Sequence, residues 1–82
     1  MPYALKPTAR FLQEFSSLDN SIRIIVRKKL ERIKQNPKLS KPLKHEANIY
    51  SERIKGYRIV FEVIGREIFL YHVLKRDDSY SA

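Results

Sequence analysis

The apolar positions change their rhythm once along the chain. Phe11, Leu12, Phe15 and Leu18 recur at helical spacing. Pro7 suits a first helical turn, where its missing N–H costs nothing, so the pattern predicts a helix over residues 7–17. Ile22, Ile25, Val26, Leu30 and Ile33 then share one helical face. Asp19, Asn20 or Ser21 caps this second helix, and Asn36-Pro37 ends it. So short a turn between the helices predicts an antiparallel hairpin.

Beyond Pro37 the helical period is lost. Residues 37–46 contain two prolines and read as a loop. Residues 47–54 predict a strand, and Gly56 a turn. Tyr57, Ile59, Phe61 and Val63 alternate with Arg58, Val60 and Glu62, a clear period of two. Residues 64–67 predict another turn. Ile68 to Leu74 is apolar on both sides apart from His72, the pattern of a strand covered on both faces. Tyr3-Ala4-Leu5 is a candidate fourth strand at one edge. The predicted fold class is α+β: an N-terminal antiparallel helical hairpin packed on a small curved antiparallel sheet of three to four strands. Neither layer buries its apolar side alone, so the helices cover one face of the sheet.

Composition narrows the class. Eighty-two residues support a single domain, 1–82, with a thin core. A 43% hydrophobic content with nine aromatics is enough to fold. The absence of cysteine excludes disulfides, thiolate metal sites and cysteine nucleophiles, and favours a reducing cytoplasm. No apolar run approaches the ~18 residues of a membrane span, and the N-terminus has no apolar signal region. The formal charge of +8 is uneven: net +5 in residues 1–36, +3 in 37–56 and zero in 57–82. Such a balance points to a polyanionic partner or, more plainly, to a soluble basic domain.

Several residues carry candidate chemistry. Arg58 lies on the alternating strand, opposite in direction to Tyr57 and Ile59. Arg53 precedes the Gly56 turn and can lie beside it, with Lys55 close in sequence. Lys75 and Arg76 leave the last strand, and Tyr80 follows four residues later. Arginine suits phosphate because its fork donates two hydrogen bonds and its charge does not titrate. Each has a plainer reading: Arg58 as an exposed strand arginine paired with Glu62 or Glu67, Arg76 as part of a self-neutralised tail with Asp77 and Asp78, and Tyr80 as a frayed end. Lys44 and His45, in the proline-containing loop, are candidate RNA contacts. So is the stripe Arg23, Arg27 and Lys34 on the second helix, which equally reads as a wet helical face. Lys29 falls inside that helix's apolar seam and is expected to snorkel out. His72 reads as a half-buried strand residue. Tyr57 and Phe61 read as core, and Phe69 and Tyr71 as aromatic platforms. No set of side chains has metal-ligand spacing, so neither metal nor cofactor is expected.

The segment GYRIVFEVIGREIFLYHVLKRDDSY resembles the C-terminal half of RelE/ParE-type toxins of toxin–antitoxin systems. KPLKHEANIYSERI resembles the stretch that feeds it in the RelE and YoeB branches, and the helical hairpin ending in Asn36-Pro37 fits the N-terminal half. The resemblance spans residues 3 to 80, and its most specific parts are Tyr57-Arg58-Ile59-Val60-Phe61 and Lys75-Arg76 followed by Tyr80. It implies a ribosome-dependent, metal-independent mRNA endoribonuclease of the cytoplasm, acting on mRNA in the ribosomal A site. It also implies silencing by a cognate acidic antitoxin in a higher hetero-oligomer. By the same resemblance Arg58, Arg76 and Tyr80 match cleavage positions, Arg53 matches a basic position on the preceding strand, and Lys75 stands where many relatives have histidine. The lysine pair of RelE itself is replaced by Ser51 and Arg53, and the YoeB glutamate falls on Lys41. The alternatives are a ParE-like DNA gyrase inhibitor without nuclease activity, and a degenerate member that binds RNA or antitoxin without cutting.

Overall fold

The computed structural model describes residues 3–42 and 48–75. Its elements in chain order are strand β1 (Ala4–Pro7), helix α1 (Ala9–Ser16), helix α2 (Asn20–Gln35), a 3₁₀ turn (Pro37–Leu39), and strands β2 (Lys41–Pro42), β3 (Ile49–Ile54), β4 (Tyr57–Ile64) and β5 (Glu67–Lys75). The sheet order is β1-β5-β4-β3-β2.

The class is α+β, but the sheet has five strands rather than three or four, and it is mixed rather than antiparallel. β3, β4 and β5 form the expected antiparallel meander. The added partners are β1, which runs parallel to β5, and β2, which pairs with β3. Both are short, and both contain a proline at the sheet edge, where a missing donor is tolerated. That is why the stretch read as a loop holds a 3₁₀ turn and β2; the rest of it, 43–47, lies outside the described residues.

The first helix starts at Ala9, two residues later than expected, because Pro7 and Thr8 are held by β5. The Thr8 N–H and hydroxyl both donate to the Leu70 carbonyl, at 3.0 and 2.8 Å. The same hydroxyl oxygen accepts the Phe11 N–H at 3.2 Å and caps α1. Asp19 takes the cap position of α2, and Pro37 stops it. The hairpin expectation holds only broadly: α1 lies against β5 and α2 against β3, so each helix meets the sheet more than its neighbour.

Lys55 and Gly56 have φ of 48° and 81° and form the two-residue β3–β4 turn. Left-handed backbone at both central positions matches the right-handed twist of the flanking strands. Gly65, at φ 60°, serves the β4–β5 turn.

One core joins the layers. Phe11, Val26, Leu30 and Ile33 of the helices meet Ile54, Ile59, Phe61, Val63, Ile68, Leu70 and Val73 of the sheet. The helices cover this inner face only. The second face of β5, with Phe69, Tyr71 and Leu74 half-buried, carries no helix among the described residues, contrary to the two-sided covering its apolar run suggests. In β5 the pattern 68, 70, 73 breaks step because the ladder passes from Phe61↔Leu70 to Val60↔His72. Tyr71 is the extra residue of a bulge, which turns Tyr71 and His72 toward the same side.

Candidate functional site

Residues paired across an antiparallel ladder share a face, so register sorts the candidates. Glu52 pairs with Ile59, and Ile54 with Tyr57, on the inner face. Arg53 pairs with Arg58, and Ser51 with Val60, on the far face. Arg53 and Arg58 thus stand directly opposite each other, on adjacent strands of a tight hairpin. Guanidinium forks side by side on one face are suited to an anionic group. Lys55 is exposed in the turn beside them.

The far face also holds Glu62, Phe69 and His72, as the β4–β5 register dictates, and Tyr71, which reaches Glu62 there. The Tyr71 hydroxyl donates to Glu62 Oε1 at 2.5 Å. That bond, then burial and the Glu62 charge, pushes the phenol above its ordinary range. Phe69 and Tyr71 present aromatic surface on the face of the arginines. Tyr57 belongs to the inner side, and Phe61 is fully buried and stacks on Tyr50 with ring centroids 5.7 Å apart.

Other candidates lie elsewhere. Lys75 is across from Tyr57, so its side of the sheet is not that of Arg58. It borders an open pocket of about 220 Å³ with Glu14, Ser17, Leu18, Tyr57, Val73 and Leu74. On α2, Arg23 donates to the Ser16 carbonyl at 3.1 Å, and the Arg27 guanidinium lies 5.5 Å from the Phe15 ring centroid. These two tie α2 to α1. With Lys34 they belong to the helical layer and are not gathered with Arg53 and Arg58. Arg76, Tyr80, Lys44 and His45 lie outside the described residues.

Lys29 does not simply snorkel. Its ammonium sits 3.4 Å from Glu52, whose other oxygen takes Arg32 at 2.9 Å and the Ser40 hydroxyl at 2.6 Å. Burial pushes the Glu52 carboxyl up, but the Ser40 hydrogen bond and the Arg32 and Lys29 charges outweigh it and hold it below its ordinary value.

Sequence reasoning passed over Glu14. Its Oε1 accepts the Val73 N–H at 3.0 Å, and its Oε2 lies 3.2 Å from His72 Nδ1. β1 reaches along β5 only to Leu70, so Glu14 supplies an acceptor at the strand edge that β1 leaves bare. The available signal was a lone acid inside the apolar stripe of α1, three residues after Phe11 and next to Phe15. Among the described residues, no group of three or more His, Cys, Asp and Glu is placed to hold a metal ion. Among the described residues, no helix is long and apolar enough to cross a membrane.

Residues 5–80 match the family model described as ParE toxin of type II toxin–antitoxin system, parDE. The chain belongs to the RelE/ParE toxin superfamily. Among solved structures, this toxin is similar to an arginine double mutant of the E. coli RelE toxin in the free state, at 27% identity and a TM-score of 0.86, with 96% of this chain and 88% of that one covered. It is also similar to the toxin of the intact E. coli RelBE toxin–antitoxin complex, at 29% identity and a TM-score of 0.81, covering 89% and 95%. The Mycobacterium tuberculosis RelBE2 complex shares the fold at 22% identity, with a TM-score of 0.81 and coverage of 93% and 100%. No curated protein matches the chain.

Proposed function

We propose that this type II toxin is a ribosome-dependent, metal-independent mRNA endoribonuclease of the cytoplasm. The observation that carries this is the Arg53–Arg58 pair on the far face of the β3–β4 hairpin. Cleavage by the neighbouring 2′-hydroxyl needs cations fixed around a phosphorus whose oxygens gain charge, and two arginines on a rigid hairpin supply them. Phe69 and Tyr71 on the same face suit unstacked bases of a single strand. Arg76 and Tyr80 complete the proposed set, and Lys55, Lys44 and His45 extend it toward the RNA.

The partner is proposed to be an acidic antitoxin. RelE toxins have been solved with their RelB antitoxins, and a chain of net charge +8 favours an acidic partner. The second reading, a gyrase inhibitor without nuclease activity, has the matching ParE family model in its favour.

Arg58→Ala separates these readings. The side chain is half-buried on the far face, outside the core, so the change should cost about 1 kcal/mol, the ordinary scale for a point substitution. Cleavage of mRNA on programmed ribosomes should slow about 10²–10³-fold, the usual cost of losing one donor to a developing oxyanion. Arg58→Lys keeps the charge without the fork and should restore only part of the rate. Wild-type protein that blocks gyrase supercoiling and leaves mRNA intact would move the assignment to the second reading.

A further inference from the structure

We infer that His72 is the general base of this site and that Glu14, from helix α1, is its positioning residue. The inference rests on the nuclease reading above. That reading needs a group to take the proton from the 2′-hydroxyl, and the far face offers few. Arg53 and Arg58 remain charged and hold no free lone pair. Ser51 is buried, and Glu62 is engaged by the Tyr71 hydroxyl. His72 is the described far-face side chain of the type suited to accept a proton near neutral pH.

Its placement supports the role. His72 pairs with Val60 and Leu74 with Arg58. His72 is therefore the diagonal neighbour of Arg58 in the ladder, and Glu14 reaches its ring around the edge of β5 that β1 leaves bare. The bulge at Tyr71 puts His72 on this face although the core pattern of β5 has shifted by one residue. The imidazole is 40% exposed, whereas Glu14 is only 13% exposed. Glu14 is fixed independently of His72, because its other oxygen holds the Val73 N–H.

The pairing sets the tautomer. An ionised carboxylate only accepts, so Nδ1 must carry the proton and donate it to Glu14. The Nε2 lone pair is then left for substrate, the arrangement by which a carboxylate orients a catalytic imidazole. In the proposed step Nε2 takes the 2′-hydroxyl proton, and the 2′-oxygen forms a bond to the adjacent phosphorus. The bond from phosphorus to the 5′-oxygen breaks with its electron pair. The leaving oxygen takes a proton from water, and the imidazolium returns its own to solvent. The products are a 2′,3′-cyclic phosphate and a 5′-hydroxyl end.

Charged and titratable groups surround the imidazole on each neighbouring element. Glu14 and Arg10 come from α1, their side chains 3.8 Å apart. Arg58 and Glu62 share the far face on β4, Tyr71 shares it on β5, and Lys75 stands on the other face across from Tyr57. Glu14 is the one in contact, so it governs the imidazole most directly.

The test compares wild type, His72→Gln and Glu14→Gln in single-turnover cleavage on programmed ribosomes across pH, with thermal melts and imidazole NMR titrations. His72→Gln should melt like wild type, lose about 10²–10⁴-fold in rate, and lose the acid-side fall of the pH–rate profile. Glu14→Gln keeps an acceptor for Val73 but loses the charge. It should slow cleavage with KM unchanged and alter the imidazole NMR signals that report the tautomer, because the ring loses the carboxylate that orients it. A collapsed melt for His72→Gln is met by His72→Asn and by the wild-type profile, whose acid-side midpoint must coincide with the His72 titration. A mismatch overturns the proposal. Unchanged rate and profile in His72→Gln, alongside a slow Arg58→Ala, overturn the dyad and leave the nuclease reading intact. Wild type that never cleaves overturns both.

Discussion

Glu52 and Arg53 are neighbours in β3 and point to opposite faces of one sheet. On the inner face, Glu52 meets two cations and a hydroxyl, and its charge is balanced within the fold. On the far face, Arg53 stands across from Arg58, a charge of its own sign. The same strand joins opposite charges on one side and sets like charges together on the other. The first side builds the domain. The second carries the arginine pair on which the proposed RNA contact rests.

The largest test of that division is in the core. Phe61 is fully buried against Tyr50, so Phe61→Ala should cost about 3–5 kcal/mol and depress the melting temperature far more than Arg58→Ala. Equal melts for the two variants would erase the distinction between faces. Next comes Glu52. Its folded carboxyl is held below the ordinary range, so the unfolded chain binds its proton first as pH falls. The stabilisation is complete above the unfolded value and is lost as pH drops through the lower folded one. Glu52→Gln should cost about 1–2 kcal/mol at neutral pH, discounted for the partial exposure of Lys29 and Arg32, and should flatten the acid limb of denaturant-derived stability. The smallest effect has the opposite sign. Arg53→Ala removes one of two facing like charges and should raise stability by about 0.2–1 kcal/mol while weakening RNA binding. A variant that loses both stability and binding would make Arg53 a structural residue.

Much of this division is legible in the residue pattern. The strict alternation of Tyr57 to Val63 assigns β4 its two faces, and the Gly56 turn brings Arg53 opposite Arg58. The edge strands are harder to read, because four residues of β1 and two of β2 are too few for a period. β5 hides its bulge for a different reason. Phe69, Tyr71 and Leu74 are as apolar as the core residues beside them, so nothing marks where alternation slips. Glu14 is visible only as an acid within an apolar stripe. Its meaning depends on an N–H at Val73, 59 residues away, and backbone donors have no signature in sequence.

The parallel β1–β5 pairing also sets a timetable. Thr8 closes on Leu70, 62 residues further along, so the first strand waits for the last before the sheet has its edge. Contacts of such separation pay their loop entropy early and are repaid late. A nascent chain grows at about 5–20 residues per second, so β1 waits several seconds for the residues of β5 to be made. Until then the edge of β5 and the strand that will cover it exist apart, and the sheet is completed from its last-made strand back to its first.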